Sequence, residues 1–235
     1  MLTVDFNEIP LKSGMRVLDA GCGSGRHLCE AFRTPGVEVA GVDLSRVDLG
    51  KTKRFLSLMA REQKGRWIVA CADVTNLPFA GGRFDVVVCS EVLEHVSDNK
   101  DAVTELVRVL KPGGDLVVTV PRFLPERVCW ALSAAYHREP GGHIRIYKKG
   151  ELMNLLEHAG TRCWRIRYRH GLHSPYWWLR CLVGHKNEIS PLVRAYRRFL
   201  EWDIIRHPPL TAMMDRILNP LIGKSIIFYL KKGYR

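Results

Sequence analysis

The sequence predicts an α/β fold with a doubly wound, mostly parallel sheet, and three observations predict it. Short apolar runs recur through the first half of the 235 residues, at Val17-Leu18, 37–42, 67–72 and 84–89, with helix-patterned segments between them. The run Phe84-Asp85-Val86-Val87-Val88-Cys89-Ser90 is almost wholly apolar, which suits a central parallel strand buried on both faces. Gly21, Gly23 and Gly25 follow the first run at alternate positions and lead straight into the helix-forming segment 26–32.

That glycine turn is the first functional signal. Glycine at every second position lets the backbone turn sharply and approach a ligand with no Cβ in the way, and a helix N-terminus follows. A dinucleotide turn needs a third glycine three residues after the second, where this chain has Arg26. No Gly-Lys-Ser/Thr is present for a phosphate loop. The order is Asp19-x-Gly21-x-Gly23-x-Gly25, with the acid closing the strand.

Residues 37–43 read as the second strand, ending in Asp43. A carboxylate there can accept both hydroxyls of a ribose, and its competing role is an N-cap, shared with Ser45, for the helix that follows. That helix is expected over 45–62, with a basic outer face. Residues 67–74 form the third strand and carry Asp73, either a ligand acid or a turn former. Gly81-Gly82 turns the chain into 84–90; Glu91-Val92-Leu93-Glu94-His95-Val96 comes next, then a helix through Leu110. A Lys111-Pro112-Gly113-Gly114 turn precedes a strand over 115–120.

In this fixed order the segments resemble the class I S-adenosylmethionine (SAM) dependent methyltransferases, in the methyltransferase type 11 group that includes ubiquinone and menaquinone biosynthesis enzymes. The resemblance covers residues 16–120 and, more loosely, 141–160. It implies one Rossmann-like domain over 1–235, with a seven-stranded mixed sheet whose last strand is antiparallel. It implies SAM as cofactor and S-adenosylhomocysteine as product. Asp19 would orient the turn, and Gly21, Cys22, Gly23 and Gly25 would offer backbone contact. Asp43, with Leu44 beside it, would take the ribose, Asp73 and Val74 the adenine, while Ser90 and Glu91 would border the methionine portion. The last two strands fall at 161–168 and 226–230, separated by more than fifty residues. A connection to an antiparallel last strand leaves from the carboxyl rim, where ligands bind in open α/β sheets. Segments 121–142 and 173–224 are therefore expected to cover the substrate.

Inside the second segment, His173-Ser174-Pro175-Tyr176-Trp177-Trp178 is dense in aromatics that either line an apolar pocket or anchor the insertion. Ser190-Pro191 starts a helix with Leu192, Val193, Tyr196, Phe199 and Leu200 on one side and Arg194, Arg197, Arg198 and Glu201 on the other. The formal charge is +12, and it is uneven: residues 1–120 hold 15 Lys/Arg against 16 Asp/Glu, residues 121–235 hold 21 against 8. The basic half suits an anionic group, an anionic membrane surface touched peripherally, or nucleic acid. The leading expectation is a small-molecule or lipid-like acceptor. RNA or DNA is the weaker alternative, because no Asn/Asp-Pro-Pro-aromatic motif follows Ser90 and no Pro-Cys supplies an attacking thiol. A non-catalytic SAM-binding partner protein is the reading from another class.

Seven scattered cysteines without a Cys-x-x-Cys pair read as reduced thiols, with no metal site expected. The first residues carry acids and no apolar core, unlike a signal peptide, and a cytoplasmic protein is expected, peripheral at most to a membrane. For methyl transfer to oxygen or nitrogen a base helps remove a proton, and histidine has a suitable pKa. His143 in Gly142-His143-Ile144-Arg145-Ile146-Tyr147 is the first candidate, with Tyr147 near it; His95 and then His173 follow.

Overall fold

The computed structural model describes residues 2–61, 65–206 and 208–234. The chain runs β1 (Arg16–Ala20), α1 (Arg26–Phe32), β2 (Glu38–Asp43), α2 (Arg46–Met59), β3 (Trp67–Cys71), β4 (Phe84–Ser90), α3 (Asn99–Val109) and β5 (Leu110–Pro121). It continues through α4 (Phe123–Leu132), α5 (Ala134–His137), α6 (Lys149–His158), β6 (Thr161–Arg169), α7 (His173–Val183), α8 (Pro191–Arg206), α9 (Pro209–Ile222) and β7 (Ser225–Lys232). The seven strands make one sheet in the order β3-β2-β1-β4-β5-β7-β6, with β7 antiparallel to both neighbours. The expected mixed sheet is present. Its order reverses between β1 and β4, so the carboxyl ends of these strands open a crevice where ligands of such sheets bind.

Alternation along the strands builds a core on each face. Leu18, Val87, Cys89, Leu116 and Phe228 pack with α3 and α6, while Val17, Val86, Val88, Val117 and Tyr229 pack with α1 and α2. Some sequence boundaries move. The third strand stops at Cys71, because Asp73 Oδ1 accepts from both the N–H and the hydroxyl of Thr75, at 2.8 Å each, and turns the chain away. The helix expected through Leu110 ends at Val109, since Leu110 already pairs with Phe84. The helix expected to reach Glu62 is observed to Met59, and Glu62 lies outside the described residues.

Segment 121–142 folds as α4 and α5, and segment 173–224 as α7, α8 and α9, from the carboxyl end of β6 back to β7. The aromatic stretch is therefore helical. Tyr176 joins Leu172, Val193 and Leu200 in a third apolar cluster, and Trp178 Nε1–H donates to Pro125 O at 3.0 Å, tying α7 to α4. Among the described residues no helix is long and apolar enough to cross a membrane, and all seven cysteines are free.

The N-terminal residues strap back onto this frame. His27, buried on α1, accepts through Nε2 from the N–H groups of Thr3 and Val4 at 3.2 and 3.3 Å, so that nitrogen must stay unprotonated. Burial first, and Arg26 second, lower its pKa from 6.5 to about 4. The unfolded chain binds the proton more readily, so this contribution is complete above 6.5 and is lost as pH falls towards 4, a difference worth roughly 3 kcal/mol. Urea unfolding of His27→Gln should lose that part of the acid-side slope. An unchanged slope would remove His27 from the account.

Candidate functional site

The glycine turn is held from three sides. Gly21 N–H and Cys22 N–H both donate to Val42 O, at 2.8 and 2.9 Å. Gly23 N–H donates to Asp43 Oδ2 at 2.7 Å, and the buried Thr52 hydroxyl donates to Gly23 O at 2.9 Å. Asp43 Oδ1 meanwhile accepts from Ser45 N–H at 2.8 Å, while Ser45 itself caps α2 through Asp48 N–H. The two roles weighed for Asp43 thus coexist: it braces the turn and the start of α2, and a carboxylate with four acceptor positions keeps lone pairs for a ligand. Gly21 has φ +81°, and a Cβ there would stand 2.2 Å from Val92 Cγ2. Gly23 has φ +49° and open space where its Cβ would go. Cys22 is buried, its thiol pKa pushed up by burial, and Leu44 is exposed beside Asp43.

Asp19 is the penultimate residue of β1, under this turn, and neither of its carboxylate oxygens has a hydrogen-bond partner. Burial raises its pKa from 3.8 to about 7, and the Leu28 backbone and the Arg26 charge ease this only in part. Positive charge and hydrogen-bond donors would satisfy this buried acid beside the glycine turn, and the amino-acid end of SAM carries both. The residues present fit that cofactor. Just past β3, Val74 is buried, and Asp73 is exposed with Oδ1 committed to Thr75.

At the end of β4 the chain leaves the sheet through Glu91, a non-glycine residue at φ +56°. Ser90 Oγ lies 2.9 Å from Thr119 Oγ1, which donates to Glu91 Oε1 at 3.0 Å. Three residues on, Glu94 is buried with both carboxylate oxygens unpartnered, and burial with the neighbouring Glu91 charge raises its pKa well above the ordinary range. The segment carrying His143 is strapped across this loop: Ile144 N–H donates to Glu94 O, and Arg145 donates to Ser97 O. The result brings Glu94, His95 and His143 together, with one ligating atom of each within 4.8 Å of the others.

Both histidines have defined partners. His95 Nδ1 lies 3.1 Å from the Gly142 carbonyl and His143 Nδ1 lies 2.6 Å from Glu126 Oε1. Each partner can only accept, so each Nδ1 carries the proton and, in a neutral ring, Nε2 keeps the lone pair. Glu126, on α4 and 2% exposed, also accepts from Tyr136 O–H at 3.0 Å and has Lys224 Nζ 3.6 Å from its other oxygen. Lys224 in turn sits 5.1 Å from the Trp177 ring centroid.

The structure therefore brings His143 and His95 together and leaves the other two candidates elsewhere. The Tyr147 hydroxyl donates to Leu93 O and accepts from Asn99 Nδ2, at 3.1 and 2.6 Å, so it is spent on holding the loop. His173 lies with His170 at a different cleft of about 960 Å³ between β6, α8 and α9, where burial lowers its pKa to about 4. Sequence reasoning missed Glu94, although Glu91-x-x-Glu94-His95 was a readable spacing, and missed Glu126, whose partner stands 17 residues away on another segment.

Residues 3–166 match a family model described as a methyltransferase domain. The chain belongs to that family. The chain is 36% identical over 199 residues to the ubiquinone biosynthesis O-methyltransferase of Xylella fastidiosa (strain 9a5c), covering 80% of this chain and 75% of that protein. It is 35% identical over 123 residues to the protein of that name from Dechloromonas aromatica (strain RCB), covering 52% of this chain and 51% of that one. For three such curated relatives the methyltransferase spans 51, 64 and 61% of their length. Among solved structures, a putative methyltransferase from Bacillus halodurans C-125 aligns over 97% of both chains with TM-score 0.63 and 22% identity. Geranyl diphosphate methyltransferase in complex with SAM aligns over 95% of this chain and 80% of its own, with TM-score 0.63 and 16% identity. These structural likenesses show the fold, and SAM as the cofactor rests on the family match.

Two outcomes are expected at this cradle. Gly23→Ala should fold, because nothing lies within 4 Å of the new Cβ, at a cost of about 1–2 kcal/mol for the left-handed backbone. Calorimetric titration should still show SAM affinity reduced at least about tenfold; undiminished binding would place the cofactor elsewhere. Asp19, raised from 3.8 to about 7, stabilises the ligand-free protein below 3.8, and that contribution is lost as pH rises to 7, roughly 4 kcal/mol. Asp19→Asn should flatten this slope in urea unfolding of the ligand-free protein. It runs opposite to that of His27, so each must be read from its own variant.

Proposed function

We propose that this methyltransferase transfers a methyl group from SAM to a hydroxyl oxygen of a small, lipid-like acceptor lying between the glycine turn and the insertion helices. The observation that carries the reading is the convergence of Glu94, His95 and His143 just past β4, beside Ser90 and Glu91. The names of the relatives, ubiquinone biosynthesis O-methyltransferases, support oxygen over nitrogen or carbon and a lipid-like acceptor.

When bound, SAM supplies a methyl carbon already activated by its sulfonium leaving group. The chain has then to align the acceptor oxygen and take its proton. Asp19, the glycines, Asp43 and Leu44, Asp73 and Val74, and Ser90 and Glu91 hold the cofactor. His143 accepts the proton at Nε2, since Nδ1–H is committed to Glu126. Glu126 positions that ring and stabilises the charge it gains, and Tyr136 and Lys224 keep the carboxylate in place. His95 and Glu94 orient the acceptor hydroxyl. The segments around α4 and α7 wall the acceptor.

One observation favours a second reading of the same residues. A buried, unpartnered carboxylate beside two imidazoles whose Nδ1 atoms are each tied to an oxygen is a donor set suited to a divalent cation. Glu94, His95 and His143 would then be ligands, contrary to the expectation of no metal.

Turnover of methyl-labelled SAM with hydroxylated, lipid-like acceptors tests both. His143→Gln should lower it at least about a hundredfold, with SAM affinity held within about twofold. Retained turnover would sink either reading. Activity that survives EDTA selects proton transfer to His143, and loss that a divalent cation restores selects the metal.

A further inference from the structure

Helix α9 is built inside out. Its protein-facing side is largely polar: Thr211 is buried, Asp215 Oδ1 accepts from Leu172 N–H at 3.1 Å, and Asn219 Oδ1 accepts from Gly171 N–H at 2.8 Å, while Leu218 packs against the third apolar cluster. Its other side carries Leu210, Met213, Met214, Ile217 and Leu221, which follow helical spacing and are 61, 55, 36, 57 and 61% exposed. An ordinary surface helix has the reverse arrangement. A continuous apolar stripe left in water marks a surface that something covers.

The preceding helix lines the same cleft as α9 and brings positive charge beside it. On α8, Arg194, Arg198, Trp202, Ile205 and Arg206 recur at helical spacing, and all are exposed. Arg197 pairs with Glu201 on the same helix at 3.7 Å, whereas Arg194, Arg198 and Arg206 make no ion pair among the described residues. Arginine alternating with tryptophan and isoleucine suits the headgroup boundary, where charge meets phosphate and the rings meet acyl chains. A symmetric pairing with a second copy would instead set arginine against arginine. Neither helix can cross a bilayer, so the geometry is that of a helix lying in its surface.

We propose that the outward faces of α8 and α9 dock this methyltransferase on an anionic lipid bilayer, the stripe of α9 entering the acyl boundary and the arginines of α8 meeting phosphate headgroups. This extends the expectation of peripheral association from α8 alone to a surface whose apolar part is α9. It does not depend on which acceptor atom is methylated.

Co-sedimentation of the whole chain with phosphatidylcholine–phosphatidylglycerol vesicles tests it. The protein should partition to the mixed vesicles, bind pure phosphatidylcholine at least about tenfold more weakly, and be released by salt. Ile217→Asp with Leu221→Asp, and separately Arg198→Glu with Arg206→Glu, should each weaken partition about tenfold or more while SAM titration stays that of the folded wild type. Absence of partition, equal binding to pure phosphatidylcholine, or variants that bind as well as wild type would overturn the proposal. So would a dimer in sedimentation velocity that Ile217→Asp dissociates, because the stripe would then belong to a second copy.

Discussion

The grip of the Asp43 carboxylate on two backbone amides is the constraint on which the cofactor side depends. One oxygen holds Gly23 in the turn after β1, and the other holds Ser45 at the start of α2. Two βα junctions that are neighbours in the sheet are thereby fixed to one group, and Thr52 closes the loop from α2 back to Gly23 O. The turn is thereby held by protein groups alone, while Asp19 below it is buried without a hydrogen-bond partner. Order in the backbone and strain in the electrostatics are combined at one place, and a cationic ligand relieves the second without disturbing the first.

The side proposed to meet the acceptor is organised around a different acid. Glu126 arrives on α4, Tyr136 on α5, Lys224 just before β7 and His143 on a loop strapped to the end of β4. Four separate segments therefore meet at one carboxylate that is almost wholly out of water. Its pKa stays low in spite of that burial because His143, Lys224 and Tyr136 compensate the desolvation. A charge so placed is costly when any partner is missing, which makes it a device for holding the two insertions in one arrangement.

The parts that were legible in the sequence are those written in local pattern. Continuous apolar runs gave strands, alternating glycines gave the turn, and acids closing the strands sit at the crevice. Two boundaries moved where a side chain or a pairing overrode periodicity: Asp73 capturing Thr75 ended β3, and Phe84 claimed Leu110 from the helix. Glu126 was illegible because nothing near it in the chain marks it as buried. Helix α9 is not among the helices expected from the sequence, which has Pro208-Pro209 at its start and Pro220 near its end. The first two precede or open the helix, where proline fits, and Pro220 falls in its last turn.

The antiparallel last strand carries a consequence for how such a protein can change. Because β6 ends and β7 begins at the same rim, the three helices hung between them enter and leave the sheet through one doorway. The connection can be lengthened, shortened or exchanged without altering the register of any strand, since the hairpin it closes is already fixed by eight paired residues on each side. The sheet and the cofactor turn then act as a chassis, and the helices α7, α8 and α9 as a cartridge, so that what the protein meets outside can diverge faster than what it does inside.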